Sequence, residues 1–207
     1  MVRYGMVIDL KKCIGCDACT VACRAENATP PGVFWNRLFK FEVGKYPYAK
    51  LVSMPLICMH CKNAPCVEAC PTGATHRRSD GIVLVDYDKC MGCKYCIVVC
   101  PYGERFFNRT ITAYYPGNPP TPYEELSKRL GGPSNHETGI VEKCTFCADR
   151  VDKGQEPACV GSCVADARTF GDLDDPNSSV SRLIATKHAV QLGPELGTDP
   201  SVYYVPP

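Results

Sequence analysis

Cysteine thiolates bind soft metal ions and iron–sulfur clusters, and they are unusually frequent in this sequence. Sixteen of its 207 residues are cysteine, and they form four groups of four with no cysteine left over. The groups are Cys13, Cys16, Cys19, Cys23; Cys58, Cys61, Cys66, Cys70; Cys90, Cys93, Cys96, Cys100; and Cys144, Cys147, Cys159, Cys163. Groups one and three share the spacing C-x2-C-x2-C-x3-C, whereas groups two and four are C-x2-C-x4-C-x3-C and C-x2-C-x11-C-x3-C.

The run C-x2-C-x2-C-x3-C-P is typical of bacterial ferredoxins, which hold [4Fe–4S] clusters through cysteine thiolates. Pro71 and Pro101 follow groups two and three as this pattern requires, whereas Arg24 and Val164 follow groups one and four. Disulfide bridges and four zinc sites are the alternative uses of sixteen cysteines. A spacing of two residues crowds disulfides, and zinc sites normally combine two separated C-x2-C pairs. The spacing therefore favours four [4Fe–4S] clusters.

In the ferredoxin pattern the fourth cysteine of a run ligates the neighbouring cluster, and this exchange predicts which cysteines share a cluster. Groups two and three lie close together in the sequence and form a complete two-cluster ferredoxin. Groups one and four form a second one by the pseudo-symmetry of the chain. The predicted ligands are set one (cluster one), Cys13, Cys16, Cys19 and Cys163; set two, Cys23, Cys144, Cys147 and Cys159; set three, Cys58, Cys61, Cys66 and Cys100; and set four, Cys70, Cys90, Cys93 and Cys96.

Two kinds of half-unit alternate along the chain and extend beyond the cysteines. Asp9 and Asp86 each lie four residues before the first cysteine of groups one and three. Ala74 and Ala167 each lie four residues after the last cysteine of groups two and four. The alternation predicts an α+β fold of two bacterial-ferredoxin-like lobes, one inserted in the other, with loop-rich insertions.

The predicted domain boundaries follow from the cysteine groups. A split lobe with groups one and four surrounds an inserted lobe with groups two and three, and a loop insertion and a C-terminal segment complete the chain. The ranges are 1–49 plus 140–175 for the split lobe, 50–110 for the inserted lobe, 111–139 for the loop insertion, and 176–207 for a C-terminal helix and extended tail.

Alternating and β-rich stretches predict strands between the cysteine groups, and capping residues predict two helices. The single tryptophan, Trp35, is interpreted as cover over the core rather than as a contact with a partner. The predicted elements are extended stretches over Phe34–Val43, Pro47–Ile57 and Ile82–Val85, a turn at Asp80-Gly81, and helices beginning at Thr121 and after Asp175.

Charge gives no indication of nucleic-acid binding or disorder, since 23 Lys and Arg residues balance 22 Asp and Glu residues. Four oxidised clusters bound by thiolates would change the formal net charge of +1 to about −7. Several cations stand beside predicted ligands, where they either raise the potential of a cluster or are ordinary solvated side chains. They are Lys12, Arg24, Lys62, Lys89, Lys94 and Lys143.

Several functional segments are not expected in this sequence. No apolar run approaches the roughly 20 residues that span a bilayer, so no transmembrane helix is predicted. The N-terminus has neither the apolar stretch of a secretion signal nor a twin arginine, so any export is expected to depend on the signal of a partner or on a signal that has been removed from this sequence. No Ser–His–Asp group, carboxylate pair or phosphate loop stands out. We therefore expect a non-catalytic chain with no substrate site of its own.

The four groups in this order resemble the four-cluster iron–sulfur subunits of the dimethyl sulfoxide reductase family of molybdopterin oxidoreductases. Polysulfide, thiosulfate, tetrathionate and respiratory arsenate reductases have subunits of this type. The resemblance runs from Met6 to about Ile184, and the family's cluster grouping agrees with the predicted one. Some members have Trp in place of one group-three ligand, but this chain has Cys93 there, so four [4Fe–4S] clusters are implied. The stretches that carry the resemblance most specifically are Cys144–Cys147 with Asp149–Gly154, Pro157–Cys159, and Gly171–Pro176.

The resemblance implies an electron-transfer subunit in anaerobic respiration. It would relay single electrons between a large catalytic subunit, which holds molybdopterin with Mo or W, and a quinone-reactive membrane subunit or another redox partner. Cluster one would lie nearest the catalytic subunit and cluster four toward the membrane. Co-export with the catalytic subunit would place the complex at the periplasmic face, with the cytoplasmic face as the other possibility. The alternative function is a polyferredoxin-type carrier of a hydrogenase or formate dehydrogenase complex.

Overall fold

The computed structural model describes residues 2–110 and 136–207, and between them residues 115, 117, 119, 121, 122, 124 and 125. Thr121 and Glu124 exchange the two hydrogen bonds of a capping box, as predicted for a helix start. Most of the predicted loop insertion lies outside the described residues. In the described part of the chain, no helix has both the length and the apolar character needed to cross a membrane.

The described elements are short, and helices and strands are mixed along the chain, in agreement with the predicted α+β class. The strands are β1 (Tyr4–Asp9), β2 (Asn36–Val43), β3 (Lys50–Ile57), β4 (Thr75–Arg77), β5 (Val83–Val85), β6 (Phe106–Phe107), β7 (Val141–Glu142), β8 (Arg168–Asp172), β9 (Val190–Gln191) and β10 (Val202–Val205). The helices are α1 (Ala18–Asn27), α2 (Pro65–Glu68), α3 (Tyr95–Val98), α4 (Ala148–Val151), α5 (Ala158–Gly161) and α6 (Ser179–Lys187), with a 3-10 helix at Pro194–Leu196.

A four-stranded sheet in the order β8-β1-β10-β9 joins the two ends of the chain. β1 lies inside it, antiparallel to β8 and parallel to β10, and its central residues are fully buried. The tail, which the sequence predicts to be extended, therefore supplies strands to this sheet. Helix α6 follows Asp175 as predicted, and the hydroxyl of its N-cap, Ser178, accepts a hydrogen bond from the Ser181 amide. Val180 of α6 packs against Val7 and Val205 on one face of the sheet.

Two antiparallel hairpins agree with the predicted strands. β2 pairs with β3 over eight residues, and β4 pairs with β5 around the predicted turn at Asp80-Gly81, with β5 beginning at Val83. Trp35, 1% exposed, precedes β2 and lies in the core, as interpreted from the sequence. The β2–β3 hairpin runs across the predicted boundary between residues 49 and 50, so it connects the two predicted lobes.

The main core is built around cysteines as well as aliphatic side chains. Met6 and Ile8 of β1 pack in one cluster of buried residues with Trp35 and Ile57. The same cluster includes cysteines from three of the four groups, namely Cys19, Cys23, Cys61, Cys144 and Cys159. The predicted ligands are thus held by the structural core rather than by surface loops alone.

Candidate iron–sulfur cluster sites

A recess before α1 is lined by the whole of set one, Cys13, Cys16, Cys19 and Cys163. The loop between the first cysteines bends at Gly15 and Asp17, which both have positive φ (70° and 62°). This left-handed conformation favours glycine, and it turns the loop so that its cysteines line the recess. Cys163 joins them from the segment after α5, so the structure brings together residues 144 positions apart or more.

A second recess is lined by the whole of set four, Cys70, Cys90, Cys93 and Cys96. Its loop repeats the conformation of the first, since Gly92 and Lys94 have φ of 70° and 64°. A Cβ atom at Gly92 would also collide with the carbonyl oxygen of Gly139. The sequence repeat between groups one and three is therefore a repeat of backbone conformation around similar recesses.

The cysteines of set two are all buried and act on one another. Burial raises the pKa of the Cys23 thiol, and the thiolates of Cys159 and Cys147 add to the rise. Burial likewise raises the pKa of Cys144 well above its ordinary value, with the other three members of the set contributing. These thiols are therefore close together in a site of low polarity.

Set three is assembled in the same way. Burial raises the pKa of Cys61 to about 12, and the thiolates of Cys58, Cys66 and Cys100 contribute to the rise. Iron binds the thiolate form, so cluster binding in these sites must release protons and must compensate the burial of negative charge. The structure thus brings all four predicted sets together, and iron ligation by them stays a prediction.

Electrostatic interactions between members of different sets indicate the order of the four sets in space. Burial raises the pKa of Cys159 in set two, the Arg168 cation lowers it, and the thiolate of Cys19 in set one raises it further. Cys58 of set three likewise contributes to the raised pKa of Cys144 in set two. Arg105 faces both Cys66 of set three and Cys96 of set four. The sets therefore follow one another in the order one, two, three, four.

The residues present fit [4Fe–4S] clusters. All sixteen cysteines are described and none forms a disulfide. Backbone amides donate to several of the sulfur atoms, from Thr75 to Cys70 and from Ala167 to Cys163, both at 3.3 Å. Such N–H···S bonds stabilise thiolates. Among the described residues, no three His, Cys, Asp or Glu side chains are close enough together to hold a single metal ion.

The predicted cations beside the ligands differ in their environments. Lys12 and Lys62 are exposed, and Lys89 is exposed and pairs with Asp86 at 2.7 Å. Arg24 lies over the ring of Phe34 and Lys94 over that of Phe107, at 4.6 and 4.0 Å from the ring centres.

Lys143 is the predicted cation that lies in the core, where it is 1% exposed. Its Nζ donates to the carbonyl oxygens of Val83 and Cys144. Burial lowers the pKa of Lys143, and the thiolate of Cys58 acts against that change. Lys143 therefore lies between set two and set three.

Sequence reasoning missed three residues at these sites. Arg105 and Arg168 are buried beside the cysteines but follow the last cysteine of their groups by five residues, so a search next to the ligands does not find them. His60 is fully buried, and its ring stacks on the ring of Phe146 between set three and set two, with the two ring centres 3.7 Å apart. His60 and Phe146 each lie two residues after the first cysteine of their group and have positive φ, and this shared spacing is the signal that could have identified the pair.

Comparison with known proteins gives the same kind of site. Two family models described as 4Fe-4S dicluster domains match the chain, one over residues 49–114 and 131–173 and the other over residues 12–74. A subunit of the selenate reductase of Mesobacillus selenatarsenatis is 43% identical over 99% of this chain and 72% of its own length. The arsenate respiratory reductase iron–sulfur subunit of a Shewanella species is 41% identical over 99% and 96%. A subunit of the tetrathionate reductase of Salmonella typhimurium is 41% identical over 98% and 72%.

Proposed function

We propose that the chain relays single electrons through four [4Fe–4S] clusters to or from a molybdopterin catalytic subunit, because it belongs to the family of iron–sulfur subunits of dimethyl sulfoxide reductase-type enzymes. That family includes the iron–sulfur subunits of arsenate, selenate, tetrathionate and polysulfide reductases. The relatives are named as components of reductases, which favours this function over a polyferredoxin of a hydrogenase or formate dehydrogenase.

The observation that carries the proposal is the serial order of the four cysteine sets. Neighbouring sets lie close enough for their charges to act on one another or on a shared cation. The two outer sets reach the surface, through Cys16 of set one and Cys93 of set four, while all of set two is buried. A series of neighbouring sites that is less exposed inside and accessible at each end is the arrangement that electron relay requires.

Each part of the chain has a separate task in this relay. When bound, a [4Fe–4S] cluster supplies a centre that accepts and donates one electron. The sixteen cysteines hold the iron atoms, and the amides of Thr75 and Ala167 stabilise the thiolates of the last cysteines in their groups. The core buries all of set two and Cys61 of set three, which limits the access of water to them. Bond-making chemistry on the substrate belongs to the catalytic subunit and its cofactor.

The two ends of the series suit two different partners. Apolar side chains surround both, with Ile14 and Val164 exposed near set one and Met91 exposed near set four. We infer that set one faces the catalytic subunit and that set four faces a quinone-reactive membrane subunit or another redox partner. We further infer a membrane-associated complex at the periplasmic face, reached by co-export with the catalytic subunit.

Co-purification tests this function. The chain, tagged at one end and expressed in anaerobically respiring cells, should bring with it a large subunit and molybdenum or tungsten in about equimolar amount. The electron donor or acceptor of that subunit should change the visible spectrum of the clusters. In the matched variant Cys93→Ser, the large subunit should remain bound, because set four lies at the other end. A nickel–iron partner, or a chain purified without any metalloprotein, would contradict the proposal.

A further inference from the structure

We propose that Arg168 and Arg105 are paired internal cations, each placed between two consecutive clusters, and that each raises the reduction potentials of both its neighbours. The inference rests on the proposed function, since it requires that the four cysteine sets hold clusters. It extends that function by naming the residues that raise the reduction potentials of neighbouring clusters together.

Arg168 bridges set one and set two. It is the first residue of β8, lies opposite Ile8 of β1 and is 5% exposed. Its Nη1 donates to Cys159 Sγ and its Nη2 to Cys19 Sγ, both at 3.4 Å. Nη2 also donates to Asn36 Oδ1 at 3.0 Å. One guanidinium group thus contacts a predicted ligand of each of two clusters, a geometry that its fixed fork of donors permits.

Arg105 occupies the corresponding place between set three and set four. It is 4% exposed, and its Nη1 donates to Thr75 Oγ1 at 3.2 Å. The amide of the same Thr75 donates to Cys70 Sγ of set four at 3.3 Å, and the thiolates that act on the Arg105 cation are those of Cys66 and Cys58 in set three and Cys96 in set four. Nη2 of Arg105 has no protein hydrogen-bond partner within the described part of the chain, which leaves a buried donor beside these two sets.

The two arginines reach equivalent places from different positions in the repeat. Cys19 and Cys96 are both the third cysteine of their groups, and so are Cys159 and Cys66. Arg168, however, follows group four by five residues, whereas Arg105 follows group three by five residues. Duplication of one half-unit cannot produce both placements. The recurring feature is therefore a positive charge between paired clusters, independent of the segment that carries it.

The charge of each arginine is balanced by cysteines rather than by carboxylates. The negative groups that contact Arg168 are the sulfur atoms of Cys159 and Cys19. The negative groups that act on Arg105 are the thiolates of Cys66 and two other cysteines. Glu104, the neighbour of Arg105, pairs instead with Arg37.

Because a cluster gains one negative charge on reduction, an internal cation that is paired with the ligands and with no carboxylate stabilises the reduced state. An arginine cannot weaken this effect by losing its proton, since its guanidinium stays charged in proteins.

The test is an EPR-monitored redox titration of the anaerobically purified complex, with Arg168→Gln, Arg105→Gln and the double variant. Each single variant should lower two of the four midpoint potentials by at least about 59 mV, which corresponds to a tenfold change in a one-electron reduction equilibrium. The two variants should affect different pairs of clusters, and the double variant should lower all four. The exposed control Lys45→Gln, in the turn between β2 and β3, should change no reduction equilibrium by more than about twofold.

A second variant tests the charge without removing an arginine. Asn36→Asp has nearly the same shape and places a carboxylate against Arg168 Nη2, so it should lower the same two potentials as Arg168→Gln. The contradicting result is that Asn36→Asp and the glutamine variants bind as much iron and sulfide as the wild type and yet change none of the four reduction equilibria by more than about twofold. That result overturns the inference, and the proposed function stands. A wild-type chain that binds no iron would overturn both.

Discussion

Glu104 is a buried carboxyl group that connects the two predicted lobes, and its replacement by glutamine tests the electrostatics of the structure. It is 1% exposed, and its Oε1 accepts hydrogen bonds from Arg37 Nε, at 3.1 Å, and from Arg37 Nη2. Its Oε2 is buried with no protein hydrogen-bond partner among the residues described. Burial raises the pKa of Glu104 to about 7, and the Arg37 cation opposes only part of that rise.

The size and sign of the effect follow from this pKa. The ordinary value is 4.5, and a rise to about 7 corresponds to about 3 kcal/mol, since one pH unit is worth roughly 1.4 kcal/mol. The folded state holds its proton more tightly than the unfolded state, so this stability is fully present below pH 4.5 and is lost as the pH rises through about 7. Glu104→Gln removes that loss. The free energy of unfolding of Glu104→Gln, relative to that of the wild type, should therefore increase by about 2–3 kcal/mol between pH 5 and pH 8.5.

Anaerobic guanidinium unfolding of the holoprotein measures this difference through the cluster absorbance and the fluorescence of the single tryptophan, Trp35. With a slope of about 5 kcal/mol per molar denaturant, the midpoint of the variant should move by about 0.5 M relative to the wild type between the two pH values. Lys40→Met is the control, because it breaks an ion pair with Asp17 that is about half exposed on both sides. It should cost less than about 1 kcal/mol at either pH. Equal midpoint differences for Glu104→Gln at pH 5 and pH 8.5 would refute the reasoning.

Three further predictions concern ligand exchange, loop geometry and capping. Cys163→Ser should remove the same EPR signal as Cys16→Ser, and the loss of a different signal would contradict the assignment of both to cluster one. Gly92→Ala forces a Cβ onto the carbonyl oxygen of Gly139 at a φ of 70°, so iron analysis should show the loss of one cluster, about four irons per chain. Ser178→Ala removes the N-cap of α6 and should cost about 1 kcal/mol, seen as a melting temperature about 2–4 °C lower. An unchanged melting temperature would show that the cap contributes nothing.

The cysteine spacing, together with the pseudo-symmetry of the chain, predicted cysteine sets that the structure places close together, because a fixed step between ligands restricts how a loop can surround a group. The recess lined by Cys13 and Cys163 is the clearest case, since 149 residues separate these two positions. The β2–β3 and β4–β5 hairpins and helix α6 were also predictable, because strand composition, the Asp80-Gly81 turn and a capping serine are local signals.

Other features depend on contacts between distant segments, and local patterns do not encode them. β10 pairs with β1 although Val202 and Met6 lie at opposite ends of the chain, so the tail resembles an extended segment in the sequence. Arg168 is an ordinary strand residue by its position, and only the packing of β8 on β1 places it between two cysteine sets. The sequence identified instead the lysines next to the ligands, of which Lys12 is exposed and Lys143 is buried.

Iron and acid-labile sulfide, counted together on the anaerobically purified chain, test the central claim most directly. Four [4Fe–4S] clusters predict about sixteen irons and about sixteen sulfides per chain. Zinc without sulfide would contradict the claim that these cysteines hold clusters, and a saturating value near eight irons would contradict the claim that there are four.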